Sequence, residues 1–186
     1  MITRIKRVLY LETGVFEEVE HDETATGQAA IVVIVASILA AIGITSGSFL
    51  SSLSQTENPL GFSPSSGSPL ITFLGIAVWS ILAWLVWSAV TYFIGTKMFH
   101  GEATYGEMLR VTGFAYAPLA FMILGGIPCI GLMISFLTIA WTLAAVFIAV
   151  KEGLELTINQ TVATVFFGWF IYAIGMGILF YIAGLL

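Results

Sequence analysis

The sequence predicts an all-α integral membrane protein in which five transmembrane helices form one bundle, with short interfacial helices before them. The chain of 186 residues is 59% hydrophobic and 9% charged, whereas about a quarter of the residues in a soluble domain are charged. Residues 111–150 contain no Asp, Glu, Lys, Arg or His. As one helix they would rise roughly 60 Å, about twice the hydrocarbon thickness of a bilayer, so this stretch must cross the membrane twice.

Residues 1–27 form an N-terminal segment that we expect to be cytoplasmic or interfacial, folded as one or two short helices on the membrane surface. Its apolar residues recur at helical spacing: Ile2, Ile5, Val8, Leu9, Phe16 and Val19. Beside them stand Arg4, Lys6 and Arg7. These three cations either contact anionic lipid headgroups, at about 1 kcal/mol per cation, or form a positive flank that sets the topology.

An acidic cluster ends this segment and consists of Glu17, Glu18, Glu20, His21, Asp22 and Glu23. Carboxylate oxygens suit calcium or manganese, and a histidine could join them, so a metal site is one interpretation. The cluster lacks the spaced Asp/Asn pattern and the turn glycine of a calcium loop. We therefore favour a solvated acidic face and expect neither a metal nor a cofactor.

Residues 28–186 form the predicted membrane domain. Its five spans cover about 29–47, 70–95, 109–127, 130–150 and 162–186. The first span places Ala36, Ala40 and Gly43 on one side, and small residues at such spacing let helix backbones approach closely in lipid. Residues 46–69 are rich in Ser, Gly and Pro, which predicts an exposed connector. In the second span, Trp79 and Trp84 are interpreted as packing residues rather than as a ligand-binding aromatic box.

Two loops carry the signals of a helix start. Thr104 with Glu107 three positions later predicts a capping box, in which the hydroxyl and the carboxylate each bond a backbone amide of the other residue. Thr157 with Gln160 repeats this signature before the fifth span. Arg110 can pair with Glu107 one turn along the helix. These side chains therefore have structural roles available to them.

The third and fourth spans form a predicted hairpin. Gly125, Gly126 and Pro128 are poor helix formers within four positions, so they mark its turn. Pro118 lies inside the third span, where its missing amide and its ring are expected to kink the helix. The polar side chains available to the interior of the hairpin are Thr112, Tyr116, Ser135 and Thr138.

The basic residues predict the orientation of the chain. Every Lys and Arg lies in residues 4–7, in residues 97–110 or at Lys151. With five spans these three segments share one side, which is cytoplasmic by the positive-inside rule. The N-terminus is then cytoplasmic and the C-terminus outside, with Cys129 at the outer end of the hairpin. In a prokaryote the membrane would be the cell membrane.

Four stretches carry a family resemblance that covers nearly the whole chain: RVLYLETGVFEEVEHDETATGQA, GEATYGEMLRVTGFAYAP, GGIPCIG and WTLAAVFIAVKEGLELTINQTVATV. Through them the chain resembles the Yip domain family, the Ypt/Rab-interacting membrane proteins, and its shorter prokaryotic members in particular. The resemblance implies a five-helix domain with a cytoplasmic N-terminus. For eukaryotic members it also implies roles in vesicle traffic through prenylated small GTPases and related membrane proteins.

The chain departs from the eukaryotic members in one respect that concerns partners. It lacks their long cytoplasmic N-terminal region with its Asp-Leu-Tyr-Gly-Pro type motif, and Tyr10 stands in VLYLE instead. This departure makes a small GTPase a doubtful partner. The partners that we expect are the lipid bilayer and other membrane proteins or a second copy of the chain, and nothing indicates nucleic acid.

Two functions follow as hypotheses. The first is a non-enzymatic membrane protein that organises protein partners or lipids. The predicted partner surface on its cytoplasmic side comprises His100, Glu102, Tyr105, Arg110, Lys151 and Glu155. The alternative is a channel, transporter or lipid-translocating protein for a neutral or lipidic substrate, because broken helices line substrate sites in many transporters. No span carries a Ser/His, Asp/Asp or metal-ligand set, so we do not expect an enzyme.

Overall fold

The computed structural model describes residues 1–54 and 69–185, and every regular element in this part of the chain is a helix. Two short helices come first, α1 (Ile2–Leu9) and α2 (Gly14–His21). The long helices α3 (Ala25–Ser54) and α4 (Pro69–Phe99) follow. The third span consists of α5 (Tyr105–Ala115) and a 3₁₀ helix (Ala117–Gly126). The chain ends with α6 (Gly131–Gly153) and α7 (Ile158–Leu185).

The apolar runs of the sequence become spans of membrane length. Four described segments are long and apolar enough to cross a bilayer: Ala25–Gly47, Phe73–Phe99, Tyr105–Gly126 and Gly131–Gly153. A shorter apolar segment, Ile158–Ile174, begins α7. Large apolar side chains such as Phe136, Leu137 and Trp169 are exposed on the outside, which is the face that a bundle presents to lipid. The predicted multi-span helical bundle is therefore confirmed.

The two N-terminal helices exist as predicted, but their apolar side contacts protein. Val8, Val15, Phe16 and Val19 are fully buried and belong to the same core as residues of α5 and α6. The indole nitrogen of Trp141 in α6 also donates a hydrogen bond to the Leu9 carbonyl, at 3.1 Å. The helices therefore close one end of the bundle, whereas the sequence alone suggested that this apolar side faces the membrane.

The third span differs from the predicted kinked α-helix. α5 ends at Ala115, and the 3₁₀ helix begins with Pro118 in its first turn. Proline is accepted there because the amides of a first helical turn have no partner within the helix. The 3₁₀ helix stops at Gly126, and Ile127 is extended before the turn that leads into α6. The hairpin turn at Gly125, Gly126 and Pro128 is thus in its predicted place.

α3 packs most extensively against this 3₁₀ helix, through backbone atoms. A Cβ added to Gly43 would overlap the carbonyl oxygen of Met122, and one added to Gly126 would overlap the Ser46 hydroxyl. Ala36 and Ala40 on the same side of α3 are also buried. The small residues of the first span therefore permit close helix approach, as the sequence predicted.

The connector after the first span starts later than expected. Residues 46–54 are helical and extend α3 to Ser54, because Ser and a single Gly lower helix propensity without ending a helix that is already formed. Residues 55–68, which hold most of the predicted connector, lie outside the described residues. The last helix begins at Ile158, four residues before the predicted start of the fifth span.

Candidate functional site at the charged end of the bundle

The two ends of the bundle differ in chemistry. Within residues 1–54 and 69–185, every charged residue and both histidines lie in residues 4–23, near the α4–α5 loop or near the α6–α7 loop. These elements meet: Arg110 of α5 contacts α2, and Gly101 lies against Leu154 after α6. We call this region the charged end. The opposite end, around the hairpin turn, carries no charge in the part of the chain that the structure describes.

Ion pairs join α1 to α2 at the charged end. Arg4 pairs with Glu18 and Asp22, each at 2.8 Å. Arg7 pairs with Glu12 at 2.8 Å and with Glu18 at 2.5 Å. The bonds from the two arginines lower the pKa of the Glu18 carboxyl. Two of the three cations predicted to contact headgroups are thus paired within the protein, while Lys6 remains exposed.

Arg110 ties α5 to α2. Its side chain is buried, and its Nε and Nη2 atoms donate hydrogen bonds to the Glu20 carbonyl oxygen, at 3.1 and 2.5 Å. Its ion pair with Glu107, which the sequence predicted, is longer at 3.9 Å. Arg110 therefore stabilises the contact between α5 and α2 from a buried position. The prediction that it belongs to an exposed partner surface is wrong. No sequence signal links it to a carbonyl 90 positions away.

The remaining members of the predicted partner surface are accessible. His100, Glu102, Tyr105 and Glu155 are exposed. Lys151 is half-buried, and its ammonium group pairs with the neighbouring Glu152 at 2.6 Å. The Tyr105 hydroxyl donates to the Leu85 carbonyl at 3.1 Å, which fixes its ring beside α4.

Both predicted helix caps fall at helix starts. Thr104 and Glu107 form the complete capping box, because the Thr104 amide donates to the Glu107 carboxylate at 2.6 Å and the Glu107 amide donates to the Thr104 hydroxyl at 3.3 Å. At α7 the Gln160 side chain accepts bonds from the amide and the hydroxyl of Thr157, at 3.0 and 2.7 Å. These four residues stabilise loop ends at the charged end.

A cavity of about 830 Å³ opens between α2 and the end of α6. Its lining comprises Gly14, Glu17, Glu18, Glu20, His21, Lys151, Glu152, Glu155 and Leu156. Glu20 is 7% exposed, and burial raises the pKa of its carboxyl to about 7. Part of the acidic cluster is therefore buried, whereas the sequence favoured a solvated face. In the described residues no three His, Cys, Asp or Glu side chains are grouped to hold a metal ion.

The membrane interior contains hydroxyls rather than charges. The Thr112 hydroxyl donates to the Met108 carbonyl in its own helix and accepts a bond from the Trp84 indole nitrogen at 3.2 Å. The hydroxyls of Ser88 and Thr112 lie 2.7 Å apart. Trp84 is buried here as a packing residue. These bonds satisfy the Trp84 indole and the hydroxyls of Ser88 and Thr112 locally, as lipid surroundings require.

A smaller cavity of about 230 Å³ lies between α4, α6 and α7 beside the break in the third span. Its lining includes Trp87, Tyr116, Thr142, Trp169 and Tyr172. The indole nitrogen of Trp87 is buried and has no hydrogen-bond partner among the residues that the structure describes. No sequence pattern marks this cavity, because its lining comes from four separate segments.

The bundle of apolar helices with one charged end defines the class of this chain, a multi-pass α-helical integral membrane protein. The family is more specific: the Yip1 domain matches residues 7–184, and the chain belongs to this family. Members of the family are in general non-enzymatic membrane proteins. The resemblance on the four quoted stretches is thus confirmed. Comparisons with curated proteins and with solved structures gave no match.

Proposed function

We propose that this Yip1-domain protein organises protein partners or lipids at the membrane without catalysing a reaction, and that it does so through its charged end. The observation that carries the proposal is the gathering of charged side chains from four separate regions of the described chain into one surface. Exposed polar residues on a rigid helical end are the features of a recognition surface. His100, Glu102, Tyr105 and Glu155 belong to this surface.

Three threonine hydroxyls of the bundle interior support a structural role rather than catalysis. Thr91, Thr112 and Thr142 each donate a hydrogen bond to a carbonyl of their own helix. A nucleophilic hydroxyl needs a base within hydrogen-bond reach, and these hydroxyls bond carbonyls or other hydroxyls. They therefore serve helix packing.

We also propose that the charged end faces the cytoplasm. All six Lys and Arg residues are in segments at this end. Cytoplasmic loops carry the excess of Lys and Arg in membrane proteins. Partners would then be cytoplasmic proteins, cytoplasmic parts of membrane proteins, or headgroups of the inner leaflet.

Photo-crosslinking in native membranes tests the proposal. A photoreactive amino acid replaces Glu102 or Tyr105 at the charged end, and Ile127 at the hairpin end serves as the matched control. We expect the two charged-end positions to give the same discrete adduct, identified by mass spectrometry, and the control to give none. The proposal fails if no adduct forms under conditions that capture a known membrane complex.

One observation favours a second function, the movement of a neutral or lipidic molecule. The third span is broken at Pro118, and the cavity beside the break contains the unpartnered Trp87 indole nitrogen. Broken helices beside a cavity are common at transporter sites. Purified protein in liposomes would then scramble fluorescent lipid, and Pro118→Ala would reduce the rate severalfold. Liposomes that scramble no faster than protein-free ones would exclude the lipid-translocating form of this function.

A further inference from the structure

The cavity at the charged end is lined by a largely buried glutamate whose carboxylate has no partner among the described residues. Glu20 is 7% exposed, and within the described residues its side chain accepts no hydrogen bond and forms no ion pair. Arg110 bonds the Glu20 carbonyl oxygen instead of its carboxylate. A buried carboxylate costs free energy unless it is paired. Its position in the cavity lining means that a ligand could supply the missing cation.

The charges around Glu20 leave the cavity negative. Glu18 is already neutralised by Arg4 and Arg7, and Lys151 pairs with Glu152. Glu17 and Glu155 also line the cavity and have no ion pair in the described part of the chain. The charged groups that act on Glu20 are His21 of α2, Glu107 and Arg110 of α5, and Glu155 after α6. Three carboxylates of the lining are therefore left to attract a positive ligand.

The volume of the cavity and the spacing of its side chains indicate that it binds an organic cation. A volume of about 830 Å³ is in the range of pockets that hold groups larger than a single ion. The side chains are too dispersed for a metal, because no group of three ligands occurs in the described residues. The ammonium group of lysine and the guanidinium group of arginine donate several hydrogen bonds each and pair with carboxylates.

We propose that this cavity receives a lysine or arginine side chain from a basic segment of a partner protein, with Glu20 as its buried counter-ion and Glu17 and Glu155 at the rim. This proposal rests on the proposed function and names the chemistry of its partner. Charge complementarity supports it, because an acidic cavity on a protein of net charge −5 selects a basic segment. The pairing also removes the cost of the orphaned carboxylate.

Binding of such a segment must depend on pH. The cation pairs with the ionised form of Glu20, whose pKa lies near 7 in the empty cavity. Protonated Glu20 attracts a cation less, so binding weakens as the pH falls below 7. His21, whose pKa is raised by its bond to the Glu17 carbonyl, gains charge in the same direction and adds repulsion.

The test measures the affinity of a fluorescent hexa-arginine peptide for the full chain in uncharged detergent micelles, at low salt. We expect Glu20→Gln to weaken binding at least tenfold at pH 8 and to reduce the difference between pH 6 and pH 8. The double variant Glu17→Gln with Glu155→Gln should weaken it as well, and its exposed substitutions leave the core intact. Glu23→Gln is the matched control, because it removes one exposed carboxylate outside the cavity lining.

Several outcomes would overturn the inference. One is an equal loss of peptide affinity in Glu23→Gln, which would show that the effect comes from net charge and not from the cavity. Another is tight binding of spermine or Mg²⁺ that depends on Glu20 while the peptide does not bind. In the crosslinking experiment, the adduct at position 102 should disappear when Glu20→Gln is introduced. If the adduct is unchanged in this variant, only the present inference is refuted. If no adduct forms without the Glu20→Gln change, the proposed function is refuted.

Discussion

At the scale of single residues, Arg110 and Glu20 have roles that the spacing of residues along the sequence does not predict. Arg110 stands one turn from Glu107, yet its bonds reach the Glu20 carbonyl. Arg110 bonds the Glu20 carbonyl more closely than the Glu107 carboxylate because a buried guanidinium needs acceptors for its five donors. A carbonyl at the end of a helix is available as an acceptor, since it has no partner in its own helix. The same contact brings Glu20 into the interior.

Replacing Arg110 tests this tie between α5 and α2. Arg110→Met keeps the length of the side chain but removes the donors to the Glu20 carbonyl, so we expect a loss of about 2 to 4 kcal/mol in stability. The apparent Tm in detergent micelles, followed by circular dichroism, measures it. Lys97→Met removes an exposed cation on α4 and should leave the Tm unchanged. Equal Tm values for both variants would contradict the role assigned to Arg110.

Glu20 predicts a pH-dependent stability with a definite sign. Its pKa is about 7 in the folded protein and 4.5 in an exposed carboxyl. Between these two pH values the carboxyl is protonated in the folded state and ionised in the unfolded state. The folded state therefore loses stability as the pH rises from about 4.5 to about 7. Glu20→Gln cannot ionise and should be more stable than the wild type at pH 8, by about 3 kcal/mol. At pH 4.5 the two Tm values should nearly coincide. A gain that is the same at both pH values would show that ionisation is not its cause.

At the scale of elements, the contact between α3 and the 3₁₀ helix depends on glycine. Lipid offers no hydrophobic drive between helices, so they associate by close packing of small residues. Here the approach is close enough that Gly43 faces the Met122 backbone and Gly126 faces Ser46. The break in the third span allows this, because the narrower 3₁₀ helix brings its backbone towards α3.

A pair of alanine substitutions tests the contact. At Gly43 a Cβ would overlap backbone atoms of Met122 and Ile123, which cannot move aside as a side chain can, so Gly43→Ala should lower stability by about 1 to 3 kcal/mol. Gly75→Ala in α4 is the control, because a Cβ there meets nothing within 4 Å and alanine favours helix. The two apparent Tm values in micelles should shift in opposite directions. If Gly43→Ala were neutral, the helices would not be in backbone contact.

At the scale of the whole molecule, the distribution of charge supports the proposed topology. The helix order places the hairpin turn at the end opposite to the charged end. Basic residues are in excess on the cytoplasmic side of membrane proteins, which is the basis of the orientation that we propose. In that orientation the exposed Cys129 in the turn would lie outside.

Labelling of intact cells tests this topology. A membrane-impermeant maleimide should label Cys129 from outside, while a cysteine at Glu102 in a Cys129→Gly background should react only after permeabilisation. Glycine suits position 129, whose φ is 70°. Labelling of Glu102→Cys in intact cells would reverse the orientation.

Much of the fold was readable from the sequence because lipid imposes simple rules. The forty uncharged residues 111–150 had to cross twice, and Gly125, Gly126 and Pro128 had to mark the turn. The capping box of Thr104 and Glu107 was predictable because it depends on neighbours three positions apart. The family followed from the same local stretches, since caps, turns and small residues recur in fixed order.

The sequence by itself thus determined the class of protein, the caps of two helices, the hairpin and the separation of charge along the chain, all of which depend on local composition and spacing. Only the tertiary structure decided that the N-terminal helices cap the bundle, that the third span changes to a 3₁₀ helix against α3, and that Glu20 is buried in a cavity beside Arg110. These features arise from contacts between residues that are distant in sequence. The burial of a side chain and its pKa depend on which groups the fold brings together, and helical periodicity in the sequence does not predict this.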